Sequence, residues 1–91
     1  MIFLYMDSLI NSPPVRPYRI GFLVLPKFSM IALSCVMEPL REANWVSGYP
    51  LYEWLLITPK GSHITSSNGT CLVIENNLQA VSNCDMLIVC A

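Results

Sequence analysis

The sequence predicts an α/β domain built on a parallel sheet, and three observations support this. Two short runs, at 20–25 and 86–90, are almost wholly apolar, which is typical of strands buried on both faces of a parallel sheet. Between them, residues 29–46 carry apolar side chains at helical spacing. A second strand-like run follows that helix at 52–58. This order of strand, helix and strand indicates a parallel sheet with right-handed crossovers.

Composition excludes several classes of protein. The 91 residues are 54% hydrophobic and 12% charged, with a formal net charge of −1. Ordinary globular domains have about 25% charged residues, and disordered segments need the opposite balance, so disorder is excluded. The scattered lysines and arginines exclude a nucleic-acid surface within these residues. The longest apolar run, 28–37, is about half of the roughly 20 residues that a membrane span requires, and the start of the chain lacks a basic signal-peptide region. We therefore expect no membrane association and a cytoplasmic location.

The chain divides into a leader at 1–17 and a domain at 18–91. Three prolines make the leader hostile to helix, and we expect it to be mobile. In the domain, the first strand closes at Pro26. The helix that follows has Ser29 as its N-cap candidate and Gly48 just past its end. Pro39 lies inside this helix, where its missing amide and its ring predict a bend.

The second half of the domain consists of short elements. The strand at 52–58 ends at the turn signal 59–61, and extended pieces at 63–66 and 71–74 flank the turn former Ser67-Asn68-Gly69. Residues 76–83 predict a helical turn or loop, and the apolar strand at 86–90 follows. The sequence stops directly after that strand, whereas ligands of open α/β sheets bind beyond the carboxyl ends of strands. One helix would also leave an apolar face of the sheet open, so we expect a truncated domain.

The reactive side chains each have a functional and a structural interpretation. Cys90 could be a nucleophile at a strand end, but a buried thiol is the favoured interpretation for it and for Cys35, Cys71 and Cys84. The cysteines form no closely spaced pair, and with one histidine they predict no metal site. That histidine, His63, could be a general base, but a solvated loop position is favoured.

Two further groups favour structural interpretations. Glu38 could be a catalytic carboxylate, but Arg41 lies three positions on, which favours an ion pair. Four aromatic residues near the end of the helix could form a cation-binding box, but packing is their commoner use; they are Trp45, Tyr49, Tyr52 and Trp54.

Two segments carry a resemblance to a known family. They lie at 20–33 and 37–44, and the most specific part is Glu-Pro-Leu-Arg-x-Ala-Asn at 38–44. Shorter stretches at 47–48, 51–54, 66–69 and 85–90 add to it. Together they resemble the start of GlxA-type transcriptional regulators of the AraC family. These regulators carry an N-terminal ThiJ/PfpI-like domain and a C-terminal helix-turn-helix region.

The resemblance implies a partial parallel-sheet sandwich of the class I glutamine amidotransferase-like, flavodoxin-like type. It also implies a sensor of small metabolites such as amino acids or betaines, without a cofactor or metal. By their position in the chain, Lys27 and Phe28, after the first strand, and Ser67 and Asn68, in the later turn, are the candidates for the rim of the pocket. DNA would be bound only by a C-terminal region absent from these residues, and the full-length protein is expected to be a homodimer.

The resemblance favours a protein without catalytic activity. Ala32 stands where related enzymes carry an acidic residue near a cysteine nucleophile, and the nucleophile itself would follow a later strand, beyond Ala91. Two alternatives stay open. One is a fragment of a ThiJ/PfpI-type amidase, protease or hydratase, and the other is a small interaction protein that dimerises through the apolar face of its helix.

Overall fold

The structure is a computed structural model that describes residues 16–91. The elements are β1 (Tyr18–Val24), α1 (Met30–Ser47), β2 (Tyr52–Ile57), β3 (His63–Thr65), β4 (Cys71–Val73), a 3₁₀ helix (Leu78–Asn83) and β5 (Met86–Cys90). β2, β1 and β5 form a three-stranded parallel sheet in that order, and β3 and β4 form an antiparallel hairpin. The predicted α/β class and all of its elements are confirmed. Most of the predicted leader, residues 1–15, lies outside the described residues.

β1 is the central strand, and its sequence explains why. Ile20, Phe22 and Val24 are buried, and Phe22 stands in register with Leu56 of β2 on one side and Ile88 of β5 on the other. A strand with neighbours on both edges and helices above it has no polar face to present. The apolar run therefore becomes the middle of the core.

β5 differs from the prediction of a strand buried on both faces. Of its side chains, Met86, Leu87 and Val89 are exposed, and only Cys90 is buried. Within residues 16–91, β5 has a hydrogen-bonded neighbour on one side only, which is β1. An apolar strand sequence predicts burial only where the neighbouring elements are present to cover it.

α1 begins and ends as its capping residues predict. The Ser29 hydroxyl accepts a hydrogen bond from the backbone N–H of Ala32, and Gly48 takes the left-handed conformation at φ 75° while its N–H bonds to the carbonyl of Asn44. Leu33 and Leu40 are the buried positions of the helix. The helix is continuous through Pro39, and the bend at that residue stays a prediction.

The hairpin is joined to the loop that follows β1. Its turn closes with the N–H of Gly69 bonded to the carbonyl of Ser66, and Gly69 has a φ of 87°. The N–H of Lys27 donates to the carbonyl of Thr65 at 2.7 Å, and the N–H of Ser67 donates to the carbonyl of Phe28 at 2.9 Å. These two backbone bonds place the hairpin at the carboxyl end of β1.

No helix within residues 16–91 combines the length and the hydrophobicity that crossing a bilayer would take.

Candidate functional site

An open groove lies where the hairpin meets the loop after β1. It has a volume of about 580 Å³ and is lined by Pro26, Lys27, His63, Ile64, Thr65, Ser66, Ser67 and Gly69. Small-molecule sites commonly have volumes of about 300–1,000 Å³. The chain runs from β1 to β2 on one side and later to β5 on the other, so β1 is the point at which the strand order reverses. Open α/β sheets bind ligands at the carboxyl ends of strands beside that reversal.

The loop after β1 is a tight turn held by backbone bonds. The N–H of Phe28 donates to the carbonyl of Leu25 at 3.1 Å, and Lys27 between them has a φ of 63°. This left-handed conformation costs a residue with a side chain roughly 1–2 kcal/mol. The bond from the Lys27 N–H to the hairpin stabilises the turn, and the lysine side chain lies exposed in the groove wall.

The structure brings two of the four predicted ligand-binding residues to this groove. Lys27 and Ser67 line it. Phe28 is fully buried in the core at 0% exposure, so only its carbonyl takes part in the docking of the hairpin. The Asn68 side chain closes the turn, because its Oδ1 accepts from the Ser66 hydroxyl and from the N–H of Thr70. The ligand role of all four residues stays a prediction.

Three further polar residues that were not predicted as ligand contacts also line the groove: His63, Thr65 and Ser66. His63 and Thr65 are two positions apart on β3, so their side chains fall on the same side of the strand. The sequence alone predicts this alternation along β3. It does not predict that the hairpin docks onto the loop after β1, which brings that side of β3 to the groove.

The ion pairs of the described residues lie away from the groove. They join Arg16 to Asp85, Arg19 to Glu53, and Arg41 to both Glu38 and Glu42. The Arg16 guanidinium, together with the backbone N–H of Arg19, holds the pKa of the Asp85 carboxyl well below its usual range. The predicted pair between Glu38 and Arg41 is confirmed.

The cysteines only partly follow the prediction of four buried thiols. Cys90 is 7% exposed, and burial raises the pKa of its thiol, so it remains protonated and a poor nucleophile near neutral pH. The prediction is wrong for Cys35 and Cys71, which are exposed, and Cys84 is intermediate. Within the described residues, nothing covers the outer side of α1 at Cys35 or the side of the hairpin at Cys71.

His63 and the aromatic residues have structural surroundings. His63 is exposed as predicted, but it lies on β3 rather than in a loop, and its Nδ1 lies 2.9 Å from the Ser62 hydroxyl. Tyr52 packs edge-to-face on Tyr18 with ring centroids 6.4 Å apart, whereas Trp45 is 78% exposed. The predicted aromatic set therefore does not form one cluster. Residues 16–91 contain no group of three or more His, Cys, Asp or Glu side chains placed to hold a metal ion.

A second groove lies between α1 and β2. It has a volume of about 310 Å³ and an apolar lining that includes Met30, Met37 and Trp54. The charged residues at this groove, Glu38 and Arg41, pair with each other. Its chemistry is therefore that of an apolar surface, and the groove at the strand ends is the better candidate for a polar metabolite.

Comparison with known proteins finds similar transcriptional regulators. The chain is 36% identical over 75 residues to the HTH-type transcriptional regulator GbdR of Pseudomonas aeruginosa, and 34% identical over 73 residues to the HTH-type transcriptional regulator GlxA of Rhizobium meliloti. A crystal structure of an AraC family transcriptional regulator from Pseudomonas putida matches with a TM-score of 0.75 at 30% identity, over 82% of this chain and 40% of that one. Over about four fifths of its length, this chain is similar to GlxA-type regulators of the AraC family.

The matches to GbdR and GlxA cover 82% and 80% of this chain but 20% and 22% of the two relatives. The chain thus spans about a fifth of the length of the curated relatives that it matches. No protein-family model matches the chain. The resemblance to GlxA-type regulators and the fold that it implied are confirmed, and these relatives are named as transcriptional regulators rather than as enzymes.

Proposed function

We propose that this chain is part of the metabolite-sensing domain of an AraC-family transcription regulator, and that the groove at the carboxyl end of β1 is the effector site. The observation that carries the proposal is the docking of the β3–β4 hairpin onto the loop after β1, where the chain order of the sheet reverses. In a relative of transcriptional regulators, such a groove is suited to an amino-acid-like or betaine-like metabolite.

The geometry suggests how binding would be transmitted. Two backbone bonds hold the hairpin to the loop after β1, at Lys27 and at Ser67, and both residues line the groove. An effector that contacts both sides binds the docked arrangement better than an undocked one. Differential binding of this kind shifts a conformational equilibrium in proportion to the difference in affinity. DNA binding itself is assigned to a helix-turn-helix region outside this chain, in a cytoplasmic homodimer that matches a two-fold operator.

A role without catalysis is part of the proposal. The Cys90 thiol is buried and has a raised pKa. Ala32 in the first turn of α1 has no side chain that can transfer a proton. His63 is the only imidazole among the lining residues of the groove, and no nucleophile partners it within residues 16–91 beyond the Ser62 hydroxyl.

The test blocks the groove in the natural-length protein that carries this chain. Ser67→Trp fills the groove, and Ser82→Trp, on the exposed 3₁₀ helix, is the matched control. Operator affinity is measured by fluorescence anisotropy with and without a panel of amino acids, betaines and amines. We expect an effector response in the wild type and in Ser82→Trp, and loss of that response with retained operator binding in Ser67→Trp. An unchanged response in Ser67→Trp would contradict the proposal.

A second candidate function is self-association through α1. Ile31, Trp45 and Val46 are 75%, 78% and 68% exposed on this helix, and exposed apolar patches often mark interaction surfaces. The double variant Trp45→Gln with Val46→Gln should shift the protein from dimer to monomer in sedimentation equilibrium. A dimer of unchanged stability would exclude α1 as the interface.

A further inference from the structure

We infer that the groove binds the anionic end of a small organic acid, a carboxylate or a phosphate monoester, and that Lys27 is the residue that holds it. This inference rests on the proposed function, because it assigns a ligand chemistry to the same groove.

The charge of the groove walls is of one sign. Lys27 and His63 are the titratable side chains among the lining residues, and the lining contains no Asp or Glu. Of the acidic residues at 16–91, four are ion-paired elsewhere, and the fifth, Glu75, is not part of the lining. A cationic group in the groove would meet no counter-charge, whereas an anion would meet an ammonium.

Lys27 is the charge in the groove that is available to a ligand. The arginines at 16–91 each bind a carboxylate of the chain. The Lys27 ammonium has no ion pair or hydrogen bond with any residue in that part of the chain. Its backbone is fixed by the 2.7 Å bond to the carbonyl of Thr65 and by the left-handed turn. The fixed backbone keeps the base of the side chain at the groove, and its flexible stem carries an unpaired ammonium that can reach an anion bound there.

Two hydroxyl groups beside Lys27 can complete the site. Thr65 and Ser67 are exposed and line the groove, and their side chains form no hydrogen bond within residues 16–91. Ser66 differs, because its hydroxyl donates to Asn68 and accepts from the N–H of Thr70. An oxyanion has several lone pairs and accepts charge-assisted bonds from an ammonium together with neutral donors. The site therefore offers one charge and two hydroxyl donors.

The chain supplies a matched control for this inference. Lys60 is the other lysine, it is exposed in the turn after β2, and it is not part of the groove lining. Lys27→Met and Lys60→Met remove the same charge and keep a side chain of similar length. Lys27→Arg keeps the charge at the groove.

The experiment titrates the ¹⁵N-labelled natural-length protein with sodium acetate, inorganic phosphate and neutral acetamide, followed by NMR. We expect saturable shifts at the amides of Lys27 and Ser67 with acetate or phosphate, and none with acetamide at equal concentration. Lys27→Met should weaken the binding at least tenfold, while Lys60→Met and Lys27→Arg should stay within about threefold of the wild type. The anion that saturates at the lower concentration identifies the source as a carboxylate or as a phosphate.

Two results would overturn the inference: equal shifts with acetamide, or unchanged anion binding in Lys27→Met. Its failure is distinguishable from failure of the sensing role. If Ser67→Trp abolishes an effector response that Lys27→Met leaves intact, the groove senses its ligand without an anion contact, and only the inference falls. If Lys27→Met abolishes anion binding but no effector changes operator affinity, the anion site stands and the sensing role falls.

Discussion

Gly21 in the central strand is the position at which a single added carbon has the clearest consequence. A Cβ at this position would lie 2.7 Å from the Sγ of Cys84, 3.0 Å from the Cδ1 of Ile57 and 3.3 Å from the Cδ1 of Leu87. The Cδ1 atoms of Ile57 and Leu87 are the ends of flexible side chains and can move. The sulfur is two bonds from the backbone at the end of the 3₁₀ helix and has little freedom to move away, so Gly21→Ala must displace that segment from β1.

The expected loss of stability follows from two opposing effects. Overpacking of this kind costs typically 1–3 kcal/mol. Replacing glycine by alanine in an extended strand restores about 0.4–1 kcal/mol, because the unfolded chain loses freedom. We therefore expect Gly21→Ala to lower the free energy of unfolding by about 1–2 kcal/mol, measured by urea denaturation of the natural-length protein.

A double-mutant cycle tests the cause. Cys84→Ala removes the sulfur, so Gly21→Ala in that background should cost about 1 kcal/mol less than in the wild type. Gly69→Ala is the control. Its loss of stability comes from the left-handed φ of 87°, because an added Cβ would have no atom within 4 Å, and Cys84→Ala should leave that loss unchanged. Additive effects of Gly21→Ala and Cys84→Ala would show that the contact with the Cys84 sulfur does not cause the loss of stability.

Three further substitutions have expected outcomes. Asp85→Asn removes the carboxylate bound by Arg16. Because the pKa of Asp85 is depressed in the folded protein, the wild type should lose stability as the pH falls below about 4. The variant should show less of this loss in acid denaturation. Asn44→Ala removes both hydrogen bonds between the Asn44 side chain and the backbone of Tyr52, at 2.8 and 2.9 Å. It should lower the free energy of unfolding in urea by about 1–3 kcal/mol, and a loss near zero would show that these two bonds do not stabilise the fold. Gly48→Ala places a side chain at φ 75° and should lower thermal stability by about 1–2 kcal/mol; unchanged melting would contradict the assigned helix end.

The elements that were predicted well depend on local sequence. Ser29 and Gly48 fix the ends of α1 because capping requires a side-chain acceptor at one end and a left-handed residue at the other. The Asn68-Gly69 pair predicts the hairpin turn for the same kind of reason. The pairing of Glu38 with Arg41 follows from helical spacing alone.

The features that were predicted poorly depend on contacts distant in sequence. The apolar composition of β5 does not reveal which of its faces the rest of the chain covers. Cys35 and Cys71 were expected to be buried because of their residue type, but their places on α1 and β4 decide their exposure. For the groove, position after a strand predicted Lys27, whereas Thr65 enters only because the hairpin docks on that loop.

We propose that the groove at the carboxyl end of β1 is the effector site of an AraC-family regulator. The most direct measurement is a crystal structure of the natural-length protein grown with the metabolite that changes its operator affinity. We expect this metabolite to lie between Lys27 and Ser67, with its anionic group toward the lysine ammonium. Electron density for the metabolite in another part of the protein, with this groove empty, would show that the groove is not the effector site.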